Sequence, residues 1–241
     1  VSRIGIVTAL PFEARAWARR RLRTGELVET RPGLYLMVSG MGAANAERAG
    51  RELLNRGCEA LVSWGTAGAL RAGLHSGQLV VADRVIDEQA LSHRLDPDWV
   101  RRATRRLEGA AQVLNAPVAD TGRILDGPGA KQRLGSMTGA AIVDMESAAL
   151  ARLAEQHAVP LLVVRAVVDE VDVAVPRSVI TATDEHGHVH VGRLLVRLTL
   201  SPGEWTTMNR LRHGFARARR RLQRAAGVLS PDLALSESSE G

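Results

Sequence analysis

The sequence predicts one α/β domain, a central mixed sheet flanked by helices. Two observations carry that expectation. Short apolar runs alternate with helical stretches of roughly 10–16 residues along most of the chain. No internal repeat and no linker interrupts them before about residue 200. Composition agrees. The 241 residues are 45% hydrophobic but only 3% aromatic, so the core is built from Leu, Val, Ala and Ile. Twenty-three glycines suit frequent tight loops between elements.

The elements follow in order. "RIGIVTAL" (3–10) reads as a buried strand, broken by Pro11, and 12–22 read as helical. "GLYLMVSG" (33–40) is the next strand, and a glycine turn opens a helix within 40–57. "EALVSWGTAGAL" (59–70) is a third strand ending in a glycine-rich loop, and "GQLVVADRVID" (77–87) a fourth. A charged helix over 97–109 precedes the strand "APVADTGRILD" (116–126). A helix over 128–138 leads into the strand 141–144 and the helix 146–158. The strong apolar strand "LLVVRAVVDE" (161–170) follows Pro160. Beyond a catalytic domain over 1–200, residues 201–228 form a basic helical extension and 229–241 a tail expected to be disordered.

Several function classes lose support at once. Cys58 is the only cysteine, so no internal disulfide forms, and its setting is that of a small buried hydrophobe. No Cys/His set has structural-zinc spacing. The N-terminal segment lacks the pattern of a signal peptide, and no run reaches the roughly 18 apolar residues of a spanning helix. A cytoplasmic protein is expected, with peripheral membrane contact as the alternative. The net charge of +6 raises nucleic acid as a partner, but aromatics are not interleaved with the basic residues. "GMGAANA" (40–46) resembles part of a dinucleotide fingerprint, yet G-x-G-x-x-G fails at Asn45.

Three acids stand beside strand ends. Glu13 follows the strand 3–10, Glu146 follows 141–144, and Asp169 ends 161–168. In α/β sheets ligands collect outside the carboxyl ends of the strands, so the three could share one cleft. Each alone also fits a plain reading: a first-turn helix charge for Glu13 and Glu146, a loop residue for Asp169.

The segments "RIGIVTALPFEA", "VSWGTAGAL", "AIVDMESAALA" and "VVRAVVDEVD" resemble the signature regions of the purine nucleoside phosphorylase and nucleosidase family, in the branch of the hexameric phosphorylases and methylthioadenosine nucleosidases. The resemblance covers roughly residues 3–195. The block "RLLVRLTLSPGEWTTMNRLRHGFARARRRLQRAA" and the compact "DGPGAKQRLGSMTGAAIVDMES" resemble the hopanoid-biosynthesis members, which release adenine from adenosylhopane.

The resemblance implies cleavage of a purine N-glycosidic bond through a ribosyl oxocarbenium-like transition state. It makes Asp169 the acid at purine N7 and Glu146 the group gripping the ribose 2′ and 3′ hydroxyls. Met145 packs on the ribose, or is a flexible core filler. Glu13 matches the glutamate that activates water in the nucleosidase branch. Gly65, Thr66 and Ser63 form the pocket for water or phosphate, and Gly122, Arg123 and Asp126 hold the base. The phosphorylase branch carries an arginine where this sequence has Ser63, and another near the first loop where Glu13 stands. Both departures favour hydrolysis, with inorganic phosphate retained as a possible co-substrate. No other cofactor and no metal is implied.

Other features have plainer readings. Arg15, Arg19 and Arg20 could reach the cleft mouth, but a solvated helix face is favoured. His186, His188 and His190 alternate, and a polar hairpin face is favoured over a metal site. His93 belongs to a loop near the cleft, and Trp99 is a helix anchor or a pocket wall. In the C-terminal helix, near 204–226, Trp205, Met208, Leu211, Phe215, Ala218 and Leu222 form one stripe among seven arginines. That stripe packs on the core or lies in an anionic membrane surface. A homo-oligomer acting on an adenine nucleoside with a hydrophobic 5′ substituent is the leading expectation. A general methylthioadenosine or adenosylhomocysteine nucleosidase, a purine nucleoside phosphorylase and a non-catalytic RNA-binding protein are the alternatives.

Overall fold

The computed structural model describes residues 3–109, 112–125, 127–174, 205–230, 233 and 235. Its first strand, β1 (Ile4–Thr8), is buried along its whole length. An unbroken apolar run of this kind needs neighbours on both edges and cover on both faces. β1 has them: it pairs in parallel with β3 (Leu34–Val38) and with β4 (Ala60–Ala69). Between these come α1 (Pro11–Ala14), the edge strand β2 (Leu27–Arg31) antiparallel to β3, and α2 (Ala43–Asn55). The chain continues through β5 (Leu79–Ile86), β6 (Ser92–Arg94), α3 (Pro97–Glu108), β7 (Val113–Asp120) and α4 (Pro128–Thr138). It then forms β8 (Ile142–Asp144), α5 (Ser147–Gln156), β9 (Leu161–Asp169) and the C-terminal helix, here α6 (Trp205–Leu229).

The nine strands make one mixed sheet, as the alternation of elements predicts. Half of it closes on itself. β4 pairs in parallel with β9, β9 antiparallel with β5, β5 in parallel with β7, β7 in parallel with β8, and β8 returns antiparallel to Gly68 and Ala69 of β4. β9 carries one extra residue where it passes Ala67 and Gly68. Such a bulge re-aims the following side chains, and it brings the successive residues Val168 and Asp169 to one cavity.

Three expectations change. The helix over 12–22 shortens to α1, because Trp17 turns onto Trp64, edge to face with ring centroids 4.9 Å apart, and the chain opens so that Leu22 is buried. Arg15, Arg19 and Arg20 are exposed on that open segment. "GTAG" is not a loop, since β4 runs through it to Ala69. Two short edge strands, β2 and β6, arise where the sequence carries no apolar alternation.

The C-terminal helix packs Leu211, Ala218 and Leu222 of its stripe on the core, with Met208 and Phe215 partly buried and the side chain of Trp205 outside the described residues. Leu211, Ala218, Leu222, Ala225, Ala226 and Leu229 are buried while Arg210, Arg212, Arg217, Arg219, Arg220 and Arg224 are exposed. Gly214 makes this seat possible, because a Cβ there would lie 2.0 Å from the Val168 carbonyl oxygen. That part of the stripe is therefore not free to enter a headgroup region. Of the tail expected to be disordered, 231, 232, 234 and 236–241 lie outside the described residues. Leu233 is buried, and its carbonyl accepts from Trp99 Nε1–H at 2.7 Å. Trp99, fully buried, thus ties α3 to Leu233 rather than forming a pocket wall.

Candidate active site

Four element ends converge on one cavity of about 240 Å³: the β1–α1 turn, the far half of β4, the β8–α5 junction and the end of β9. Glu13, Thr66, Asp144, Met145, Glu146 and Asp169 line it. The loop after β7 adds Arg123, Ile124 and Leu125, α4 adds Lys131, and α6 adds Leu211 and Phe215.

Glu13 is 2% exposed and fixed from both sides. One carboxylate oxygen accepts from the Thr66 amide at 2.9 Å and its hydroxyl at 2.8 Å. The other accepts from the Leu10 amide at 3.0 Å. Glycine at 65 makes room for it, since a Cβ there would stand 2.9 Å from Oε1. Burial pushes the Glu13 pKa up, opposed by the Thr66 and Leu10 hydrogen bonds and by Arg165. A carboxylate held in this way can, when ionised, take a proton from a bound water.

The two carboxylates of "DMES" have different tasks. Asp144 completes a buried network. Its Oδ1 accepts from the Glu146 and Ser147 amides, and its Oδ2 accepts from Arg165 Nε at 2.6 Å and from the Ser147 hydroxyl. Arg165 also donates to Ser63 Oγ at 2.6 Å and to Ser147 Oγ at 3.0 Å. Ser63 is thus buried on the guanidinium side and does not line this cavity. Glu146 accepts from the Gly42 amide at 2.8 Å, so the glycine turn opening α2 holds a carboxylate of the chain itself. Burial and the neighbouring Asp144 push Glu146 up to about 8. A carboxyl in that range can both donate to and accept from sugar hydroxyls, and its ionised form favours positive charge on the ring. Asp120, whose carboxylate accepts from the Ala148 amide at 2.9 Å, is pushed up to about 7 by burial and Asp144.

Asp169 meets β4 opposite Gly68, three residues beyond Gly65, which is about 10 Å along a strand. Asp169 and Glu13 both line the cavity. Asp169 Oδ2 accepts from the ammonium of Lys131, a residue 1% exposed that sequence reasoning missed. Burial raises the Asp169 pKa and Lys131 draws it back. Arg165, also missed, lies inside an apolar strand. Only its match with an equally unusual Asp144 could have signalled it.

Of the other expected residues, Gly65 lies beneath Glu13, and Met145 lines the cavity between the carboxylates. Arg123 lines it from an exposed position. Gly122 turns away, with its amide donating to Glu88 at 2.7 Å. Asp126 and His186, His188 and His190 lie outside the described residues. His93 does not line the cavity. It is buried between Asp87 and Glu155, with ring nitrogens 3.3 and 2.9 Å from their carboxylates. Among the described residues no three His, Cys, Asp or Glu side chains are grouped to hold a metal ion.

A half-closed α/β sheet with buried carboxylates facing one another at its strand ends defines a nucleoside phosphorylase-like fold. The chain belongs to the phosphorylase superfamily, whose model matches residues 3–198. Comparison with curated proteins gives no significant match. Among solved structures, the methylthioadenosine/S-adenosylhomocysteine nucleosidase of Neisseria meningitidis, in complex with methylthio-immucillin-A, superimposes with a TM-score of 0.70 at 16% identity, over 95% of this chain and 99% of that one. The futalosine hydrolase of Helicobacter pylori gives 0.67 at 18% identity, over 95% and 96%. The S. pneumoniae methylthioadenosine/S-adenosylhomocysteine nucleosidase, bound to a transition-state inhibitor, gives 0.64 at 19% identity, over 94% and 99%. At these identities the likeness is one of fold.

Proposed function

We propose that the protein hydrolyses the N-glycosidic bond of an adenine nucleoside. One observation carries the choice of water over phosphate: the Glu13 carboxylate occupies the amide and hydroxyl of Thr66, donors that a phosphate would need. The buried cations are committed as well, Arg165 to Asp144 and Lys131 to Asp169. A phosphate dianion entering here would meet carboxylates, whereas an oxocarbenium-like sugar would be stabilised by them. In the proposed reaction Glu13 takes a proton from water as its oxygen attacks C1′. Glu146 holds the ribose hydroxyls. Asp169 protonates N7 as the C1′–N9 electrons pass to the purine. Nucleosidases among the structural relatives, two of them bound to methylthio-immucillin-A, support this reading. Adenine release measured with and without phosphate tests it.

The finer proposal is that the 5′ substituent is hydrophobic, and that the substrate is adenosylhopane. Its support is the resemblance of the C-terminal block to hopanoid-biosynthesis members, together with the apolar wall of the cavity. Leu10, Met41, Leu211 and Phe215 supply that wall. Phe12 braces Phe215 edge to face, with centroids 5.5 Å apart. Comparing adenine release from adenosylhopane and from methylthioadenosine decides this point. A homo-oligomer and a cytoplasmic location with peripheral membrane contact complete the proposal. No helix among the described residues is long and apolar enough to cross a membrane. With Leu211, Ala218 and Leu222 of α6 buried, contact would run through its exposed arginines, each contributing about 1 kcal/mol near an anionic surface. Flotation with anionic vesicles at low and high salt measures it.

A further inference from the structure

We propose that Lys131 is a positioning residue for Asp169: its ammonium fixes Oδ2, leaves Oδ1 to the leaving purine, and holds the carboxylate that remains once the proton has gone. The inference rests on the hydrolytic reading above and deepens it.

Lys131 is the one buried side chain of α4, a helix otherwise at the surface. Burying an ammonium is costly unless every N–H finds a partner. Here all three do: Asp169 Oδ2, the Glu170 carbonyl at 2.9 Å and the Val173 carbonyl at 2.7 Å. A tie between α4 and the chain leaving β9 would need only a neutral donor to the two carbonyls. The charge has a use only toward Asp169. Asp169 packs against Gly68, which presents no side chain, and Asp169 and Lys131 line the same cavity, so the ion pair stands at the cavity wall.

Other charged groups surround the strand end. Glu13, Asp144, Glu146 and Arg123 face it across the cavity. Asp172 and Glu170, the latter paired with His75, follow it in the chain, and Arg210, His213 and Arg217 of α6 line the adjoining cleft. Among all of these, Lys131 is the charge that acts on Asp169. Burial raises the Asp169 pKa and Lys131 lowers it. Raised by burial, the carboxyl can carry a proton toward neutrality. Lowered by Lys131, it is a stronger acid toward N7. In the step itself the Oδ1 proton passes to N7 as the C1′–N9 bond breaks. Asp169 is left as a carboxylate against Lys131, and it is reprotonated from solvent after adenine leaves.

The test compares kcat and kcat/KM against pH for the wild type, Lys131→Met and Lys131→Gln. Glutamine keeps the carbonyl contacts without the charge and serves where the methionine variant fails to fold. Loss of the cation should move the alkaline limb of kcat/KM upward by about one pH unit or more. It should lower kcat at the plateau by roughly tenfold, because a weaker acid then serves N7. Lys131→Arg should keep the limb near its wild-type position. An even loss of rate at all pH values with the limb unmoved would reduce Lys131 to a structural tie and overturn the proposal. A second readout does not depend on activity. The ¹³C carboxyl resonance of Asp169, identified by its absence in Asp169→Asn, should titrate at higher pH in Lys131→Gln than in the wild type. Coincident midpoints overturn the pairing. A wild type without nucleosidase activity but with separated midpoints overturns the functional reading alone.

Discussion

Replacing Thr66 with valine removes one hydroxyl from the seat of Glu13 and leaves the shape of β4 intact. The lost contact is a 2.8 Å hydrogen bond to a buried carboxylate, and the amide of residue 66 remains on the same oxygen at 2.9 Å. A hydrogen bond to a charged group contributes about 1.5–3 kcal/mol. The bond favours the ionised form and so holds the Glu13 pKa down. Its removal adds to burial, which already raises this group. Glu13 acts as a base only when ionised, so the acidic limb of kcat/KM should move to higher pH, with rates on its acidic side falling by roughly 10- to 100-fold. Activity should be lost at low pH and largely recovered above the shifted limb. The assay is adenine release from an adenine nucleoside across pH, with Thr66→Ser as the control that restores the hydroxyl. An acidic limb that stays in place in Thr66→Val would refute Glu13 as the titrating base.

Asp144→Asn leaves the buried guanidinium of Arg165 without its counter-charge and should cost about 3–5 kcal/mol of stability, read by urea denaturation. Gly214→Ala drives a Cβ into the Val168 carbonyl, so α6 must lift. A loss of about 1–3 kcal/mol is expected, together with a raised KM for substrates with apolar 5′ groups, because Leu211 and Phe215 move with the helix. Glu146→Gln should lower kcat/KM strongly on a riboside and much less on the matching 2′-deoxyriboside. Equal losses on both would remove Glu146 from the ribose hydroxyls.

Much of the fold was legible because its central strands are uninterrupted apolar runs, and β1, β4, β5 and β9 lie where such runs predict them. The edge strands β2 and β6 were not. Their residues face solvent on one side, so Leu27–Arg31 and Ser92–Arg94 carry no pattern, and their pairing comes from neighbours distant in sequence. The glycines of "GTAG" read as a loop for a local reason that tertiary structure overrides: Gly65 and Gly68 are small because Glu13 and Asp169 press on the strand. Glu13, Glu146 and Asp169 were visible as acids at strand ends. Lys131 and Arg165 were not, since each looks like an ordinary cation until Asp169 and Asp144 are brought beside it. The stripe of α6 was readable at helical spacing, but only its packing on β9 decides which surface it covers.

The most direct test of the proposed water chemistry is the initial rate of adenine release as phosphate is titrated from none to excess, with the sugar product identified in the same reaction. With Glu13 seated on Thr66 and Arg165 and Lys131 committed to Asp144 and Asp169, the rate should not depend on phosphate and the sugar should appear free at C1′. A rate that saturates with phosphate, with a sugar 1-phosphate as the product, would contradict the account.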